Sequence, residues 1–299
     1  MNPLNKLIVK TIPLFPRKLV RLFADNYIAG ETLMNAVEKV KFLNSKDIIA
    51  TTDVLGESIT TKEEAVKSKD EDLLVLEAID KYKLNSNVSI KLTMLGLKID
   101  YNLCLSLFTE IVECAKSFNN FVRIDMEESA VTDGTIRIFE DIRIKYNNVG
   151  IVLQAYLRRT ESDVMKLTET KTNFRLCKGI YIEPEKIAFK KKQEIRDNFL
   201  KVLRLMFERK SYVGIATHDK HLVEGSKKII NELDLKQNDY EFQMLLGVTE
   251  KLRDKIVAEG HRMRVYVPFG ERWYEYSTRR FKENPNVAGA VLKSIILRK

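Results

Sequence analysis

Short apolar runs and longer stretches of helical period take turns along this chain. The runs are "DIIATTDVL" (47–55), "NVSIKLTML" (87–95), "FVRIDME" (121–127), "GIVLQAYL" (150–157), "FRLCKGIYI" (174–182), "YVGIATHD" (212–219), "YEFQMLLG" (240–247) and "RMRVYVPFG" (262–270). Each is rich in β-branched or aromatic residues and too short for a typical helix, which predicts strands. Between them lie segments such as "YNLCLSLFTEIVECAKSF" and "IRDNFLKVLRLMFERK", whose apolar residues recur at spacings of three and four. Residues 17–45 carry the same helical spacing ahead of the first run.

Strand starts recur roughly every 20–40 residues, the length of one βα unit. Eight such units predict one (β/α)8 barrel of TIM type, an α/β fold, rather than two domains. Gly/Ser linkers and low-complexity segments are absent, so no internal boundary is placed. The expected organisation is a helical segment over residues 1–46, outside the barrel, and a barrel over 47–299. A barrel of this kind keeps its chemistry at the carboxyl ends of its strands. Polar residues fall there with some regularity: Asp53, Lys91, Asp125, Gln154, Arg175, Lys178, His218, Asp219, Gln243 and Tyr266. Tyr276, Arg279 and Arg280 follow in the helix after the eighth run. Charges in buried strands are costly unless they meet a partner or a ligand. For any single residue an internal salt bridge is an equal explanation; for the set converging on one rim, a site explains more.

Composition narrows the choice. With 44% hydrophobic and 31% charged residues the chain is of the globular class. The formal charge of +9 suits an acidic substrate or an anionic membrane surface, while aromatic-basic interleaving of the single-strand-binding kind is missing. Cys104, Cys114 and Cys177 are far apart and form no C-x-x-C, which argues against a disulfide framework and a zinc site and for a reducing, cytoplasmic setting. No run of 18 apolar residues occurs, and no secretion signal is recognisable. The basic, apolar start "LNKLIVKTIPLFPRKLVRLF" suits either a peripheral contact at the inner membrane face or a helix packed on its own domain. No metal site is expected: of the three histidines His218 and His221 have i, i+3 spacing but leave a strand end, and H-E-x-x-H, G-x-G-x-x-G, the P-loop and G-x-S-x-G are all absent. What remains is a site of cations, amides and aromatic rings, fit to hold an anionic cofactor that carries the difficult chemistry.

Seven segments in order make the resemblance specific: "SIKL" (89–92), "RIDMEES" (123–129), "VLQAYLRRT" (152–160), "RLCKGIYIEP" (175–184), "IATHD" (215–219), "EFQMLLG" (241–247) and "YVPFG…WYEYSTRRFKEN" (266–284). Over roughly residues 47–284 the chain resembles the proline dehydrogenase family in its single-activity bacterial form. The resemblance implies a distorted (β/α)8 barrel with non-covalent FAD over the strand ends. It implies that Met126, Gln154, Lys178, Gly179, Ile180, Thr217 and His218 contact FAD, with Arg175 beside the flavin N5 region. Lys91, Arg279 and Arg280 hold the carboxylate of L-proline and its neighbouring groups, Tyr276 contacts substrate, and Asp125 and Tyr266 complete the site. It further implies a quinone as electron acceptor and a separate pyrroline-5-carboxylate dehydrogenase downstream, since no segment resembles an aldehyde-dehydrogenase partner domain. The chain departs from the family's usual R-L-V-K-G-A-Y at Cys177 and Ile180.

Plainer readings stand beside these. Lys178–Gly179 also reads as a strand end with a turn glycine, and His218–Asp219 as a helix-start ion pair. Trp273, Tyr274 and Tyr276 read as a packing cluster over the site, and Asp53 as structural. Competing functions are a barrel enzyme that uses FMN or a sugar phosphate, and a basic nucleic-acid-binding module; the second requires steep salt dependence, and no nucleic-acid partner is expected.

Overall fold

The computed structural model describes residue 21 and residues 24–56, 59–169, 171–274 and 276–277. Every one of the eight apolar runs supplies a strand: β1 Ile49–Val54, β2 Ser86–Ile90, β3 Val122–Ile124, β4 Val149–Gln154, β5 Asn173–Cys177, β6 Tyr212–Ala216, β7 Tyr240–Leu245 and β8 Met263–Phe269. They pair in chain order, all parallel, and β8 closes on β1 with Thr51 opposite Tyr266. Helix α1 (Leu33–Asn44) precedes β1. Then α2 (Lys62–Lys81), α3 (Tyr101–Ser117), α4 (Ser129–Arg143), α5 (Thr160–Leu167), α6 (Lys192–Glu208), α7 (Lys220–Glu232) and α8 (Glu250–Ala258) follow the first seven strands in turn. The chain is therefore the expected (β/α)8 barrel.

Local chemistry fixes the helix ends. Thr61 caps α2 in a capping box with Glu64, and Asp100 accepts the Asn102 and Leu103 N–H groups at the start of α3. Helices α1, α2, α3, α6 and α7 are followed by Asp47, Lys83, Asn119, Lys210 and Asp234 in the left-handed region, each turning the chain toward the next strand. On α3 the buried residues Cys104, Leu107, Phe108, Ile111, Val112 and Ala115 form one helical stripe.

The strands alternate sharply. Val88, Ile90, Val122, Ile124, Ile151, Leu153, Phe174, Leu176, Val213, Ile215, Phe242 and Val265 belong to one large apolar core with the buried helix stripes. The intervening positions bond across the barrel between strands that are not neighbours: Arg175 of β5 to Ser89 of β2, Arg264 of β8 to Asn87 of β2, Arg123 of β3 to Asn173 of β5. Such bonds cross the interior, so the inside of this barrel is polar and its hydrophobic core is the annulus between sheet and helices. Two inner glycines make room. A Cβ on Gly150 would lie 2.5 Å from a guanidinium nitrogen of Arg123, and one on Gly214 would lie 2.3 Å from the amide nitrogen of Gln243.

Several runs extend past their strands. Residues 92–95 form a 3₁₀ turn, and residues 155–157 and 178–182 are loop, with Leu157 bridged to Ala188. The helical spacing over 17–45 is interrupted rather than continuous: residue 21 and residues 24–27 are helical, Gly30 stands at φ +143°, and α1 starts anew after Thr32, which caps it. No helix among the described residues is long and apolar enough to cross a membrane.

Candidate active site

At the carboxyl ends of the strands lies a pocket of about 950 Å³. Asp125, one residue past β3, is its hub. One carboxylate oxygen accepts from Ser89 Oγ at 2.7 Å and from Arg175 at 2.6 Å; the other accepts from Tyr266 Oη at 2.8 Å. Strand alternation brings these together, since Ser89, Arg175 and Tyr266 all occupy inward positions of their strands. Arg175 is 6% exposed, and its guanidinium lies 5.4 Å from the Tyr266 ring centroid. Its Nε donates to Gln243 Oε1 at 2.6 Å; Gln243 donates to Glu241 at 2.6 Å, and Glu241 is held by Arg264. Arg175 is thereby fixed from both ends.

Lys91, directly after β2, forms an ion pair with Asp53 at the end of β1. Burial alone would lower the Lys91 pKa, but the carboxylates of Asp53 and Asp125 outweigh it and hold the ammonium well above its ordinary range. Burial, then the charges of Asp125 and Asp53, pushes the Tyr266 phenol well up, so it stays protonated and donates to Asp125. Burial also pushes the Cys177 thiol up to about 11, which makes it a neutral thiol rather than a nucleophile.

The remaining wall comes from loops. Met126 and Gln154 are buried behind β3 and β4, and the Gln154 amide donates to the Met126 carbonyl at 3.3 Å. Gly179 stands at φ +100°, and a Cβ there would lie 2.1 Å from the Tyr156 ring, so both the turn and the close approach require glycine. Ile180 is half-exposed at the rim. His218 is fixed at both ring nitrogens: Nε2 accepts from the Leu245 N–H at 3.2 Å, and Nδ1 lies 3.1 Å from Thr249 Oγ1. Thr217 Oγ1 accepts from the Asp219 N–H at 3.1 Å. Asp219 does begin a helix, capping α7 through His221 N–H, but its cationic partners are Arg196 and Lys178 rather than His218. Hydrogen bonds from Arg196, assisted by Lys178, lower its pKa to about 2.

All twelve of the expected site residues that lie among the described ones line this pocket: Lys91, Asp125, Met126, Gln154, Arg175, Lys178, Gly179, Ile180, Thr217, His218, Tyr266 and Tyr276. Arg279 and Arg280 lie outside the described residues. Trp273 packs edge-on against Tyr274, with Arg21 stacked on its other side at 4.9 Å, so a cation of the basic start is engaged within the chain. Asp53 lines the pocket as well as pairing with Lys91. Sequence reasoning missed Ser89, although its period-two relation to Lys91 places both on one face. It also missed Glu127, a buried carboxylate on the pocket wall that accepts from the Thr93 N–H at 3.1 Å. Among the described residues no group of His, Cys, Asp and Glu could hold a metal ion.

A closed parallel barrel with a charged pocket at the carboxyl ends of its strands defines a (β/α)8-barrel enzyme. A family model described as Proline dehydrogenase matches residues 36–293. "Proline dehydrogenase 2" of Bacillus subtilis (strain 168) is 38% identical over 271 residues, covering 90% of this chain and 89% of its own. "Proline dehydrogenase 1" of the same strain is 36% identical over 288 residues, covering 96% and 95%. The crystal structure of proline utilization A (PutA) from Bdellovibrio bacteriovorus inactivated by N-propargylglycine superposes with a TM-score of 0.82 at 26% identity, covering 88% of this chain and 32% of that one. The chain belongs to the proline dehydrogenase family and is an oxidoreductase of that class.

Proposed function

We propose that the chain oxidises L-proline to 1-pyrroline-5-carboxylate with non-covalent FAD, the first step of proline catabolism to glutamate, and that the electrons pass to a quinone. The observation that carries this reading is the convergence of all the described expected residues on one pocket large enough for a dinucleotide and a small amino acid. The donor set fits the cofactor. Gln154 Oε1 is buried at the pocket without a hydrogen-bond partner, and Lys178, Lys192 and Lys220 add cations for a diphosphate.

When bound, the flavin supplies the two-electron acceptor for the hydride on the ring carbon next to the proline nitrogen. Met126, Gln154, Lys178, Gly179, Ile180, Thr217 and His218 hold it, His218 with its ring orientation already set. Arg175, pinned by Asp125 and Gln243, presents fixed positive charge where negative charge develops. Lys91, held as an ammonium, serves as a charge for the proline carboxylate rather than as a base. Arg279 and Arg280 share that carboxylate and Tyr276 packs on the substrate. Asp125 and Tyr266 keep the guanidinium aimed. A quinone acceptor calls for contact with a membrane surface, and the basic amino-terminal segment suits that contact. The product leaves for a separate pyrroline-5-carboxylate dehydrogenase.

The test is the visible spectrum of the purified protein before and after anaerobic addition of L-proline. Flavin absorption that bleaches with L-proline and returns with a soluble quinone is expected, and the cofactor released on denaturation has the mass of FAD. A colourless preparation that gains no activity with added FAD overturns the reading; released FMN favours the phosphate-barrel alternative.

A further inference from the structure

A second cavity, of about 270 Å³, lies below the site among the residues that begin the strands. Four arginines line it, Arg123, Arg175, Arg262 and Arg264, against one carboxylate, Glu241. Two of the four charges are already met: Glu241 takes Arg264, and Asp125 takes Arg175 from above. Arg123 and Arg262 form no ion pair with any described residue. Arg123 is only 3% exposed, and its hydrogen bonds go to neutral oxygens, the Asn173 carbonyl at 2.7 Å, the Asn173 side chain and the Ile151 carbonyl at 3.4 Å. Burial, with Arg175 and Arg264 close by, lowers its pKa to about 9, and the nearby Glu241 carboxylate, already taken by Arg264, offsets this only in part.

A buried guanidinium without an anion is costly, and Gly150 leaves the space that admits it. The charge is therefore accommodated beside an open cavity rather than squeezed out. Guanidinium forks match oxyanions in shape as well as charge, and two of them from different strand starts can grip one from two sides. We propose that this lower cavity binds a small oxyanion, inorganic phosphate or a short carboxylate, between Arg123 and Arg262. The cavity shares Arg175 and Gln243 with the floor of the pocket at the carboxyl ends, but Arg123 and Arg262 line the lower cavity alone.

The melting temperature of the flavin-loaded protein, followed against added sodium phosphate at fixed ionic strength held with chloride, tests this. A rise that saturates with phosphate is expected, because a ligand that binds only the native state stabilises it in proportion to occupancy. Arg262 is partly buried and in no ion pair with a described residue, so Arg262→Gln should fold and should shift the saturation midpoint upward about tenfold or more, the loss of one charge-assisted bond. Arg123→Gln should abolish the rise; if that variant does not fold, the Arg262→Gln midpoint alone decides. Acetate in place of phosphate distinguishes the two sources: whichever saturates at lower concentration is the preferred ligand. No rise beyond that seen with chloride, or an unchanged midpoint in Arg262→Gln, overturns the proposal.

Discussion

The annulus between sheet and helices and the interior of the barrel are built from alternate residues of the same strands, yet they are different materials. The annulus is a continuous apolar core in which Phe174, Leu176, Ile151 and Phe242 meet helix residues such as Phe199 and Met206. The interior is a chain of hydrogen-bonded charged and polar groups: Arg264, Glu241, Gln243, Arg175, Asp125 and Tyr266 follow one another. Barrels of this class usually fill the interior with branched apolar side chains. Here the annulus alone must supply the hydrophobic stability, which leaves the interior free to hold charges aimed at a ligand. Within the interior the two ends also differ. The upper cations Lys91 and Arg175 are each met by a carboxylate, Asp53 and Asp125, whereas the lower end keeps two arginines with no ion pair among the described residues.

Neighbouring residues of β5 offer the sharpest way to break this contrast. Phe174 is fully buried in the annulus, so Phe174→Ala should cost about 3–5 kcal/mol of stability while the fraction that remains folded reduces flavin normally. Arg175→Met, one residue on, leaves Asp125 without its cation but still bonded by Ser89 and Tyr266, so it should cost less stability than Phe174→Ala while slowing flavin reduction by L-proline about 10²–10³-fold. Equal loss of stability in both variants, followed by chemical denaturation, would show that the interior carries the fold as well.

A smaller effect tests whether interior packing aims Arg175. Gly214→Ala would press on the Gln243 amide, which is pinned by Arg175 and Glu241 and cannot swing away freely. The expected cost is about 1–3 kcal/mol of stability for overpacking. A roughly tenfold slower reductive half-reaction should accompany it, for one weakened charge-assisted bond. Stopped-flow traces with an unaltered rate would show that Asp125 alone suffices to hold Arg175.

The smallest expected effect lies at the rim. The Asp219 pKa is lowered from 3.8 to about 2 by Arg196 and Lys178, so its contribution to stability is present above its ordinary pKa. That contribution is lost as pH falls through about 2. Asp219→Asn keeps a helix-capping side chain but removes the charge. The native protein should lose thermal stability more steeply than this variant as pH drops from near 4 toward 2. Parallel melting curves over that range would place Asp219 in water rather than in an ion pair.

Short runs rich in β-branched and aromatic residues, separated by stretches of helical spacing, were enough to read all eight strands and the closed barrel they form, because each βα unit carries its own apolar faces. Helix ends were harder to read. Five of them turn on Asp47, Lys83, Asn119, Lys210 and Asp234 in a conformation that glycine would have advertised. The break before α1 depends likewise on a Thr32 cap within a continuous helical rhythm. Resemblance to a family supplied the site residues by name, and the pocket holds every described one. Ser89 and Glu127 lie inside the quoted segments but were not singled out: the period-two relation of Ser89 to Lys91 gives its face, and a carboxylate past a strand end does not show by itself that it faces a pocket.

Residue types and their order along the chain determined that there are eight strands, that charges sit at their carboxyl ends, and that a site for anionic ligands suits them. Which charge meets which was decided only by closure of the barrel. Asp125 draws together Ser89, Arg175 and Tyr266 from three different strands, and no spacing in the chain encodes those distances. The same closure brought Arg123, Arg262 and Arg264 to the wall of one cavity, since the register of parallel strands sets which inward positions share a layer.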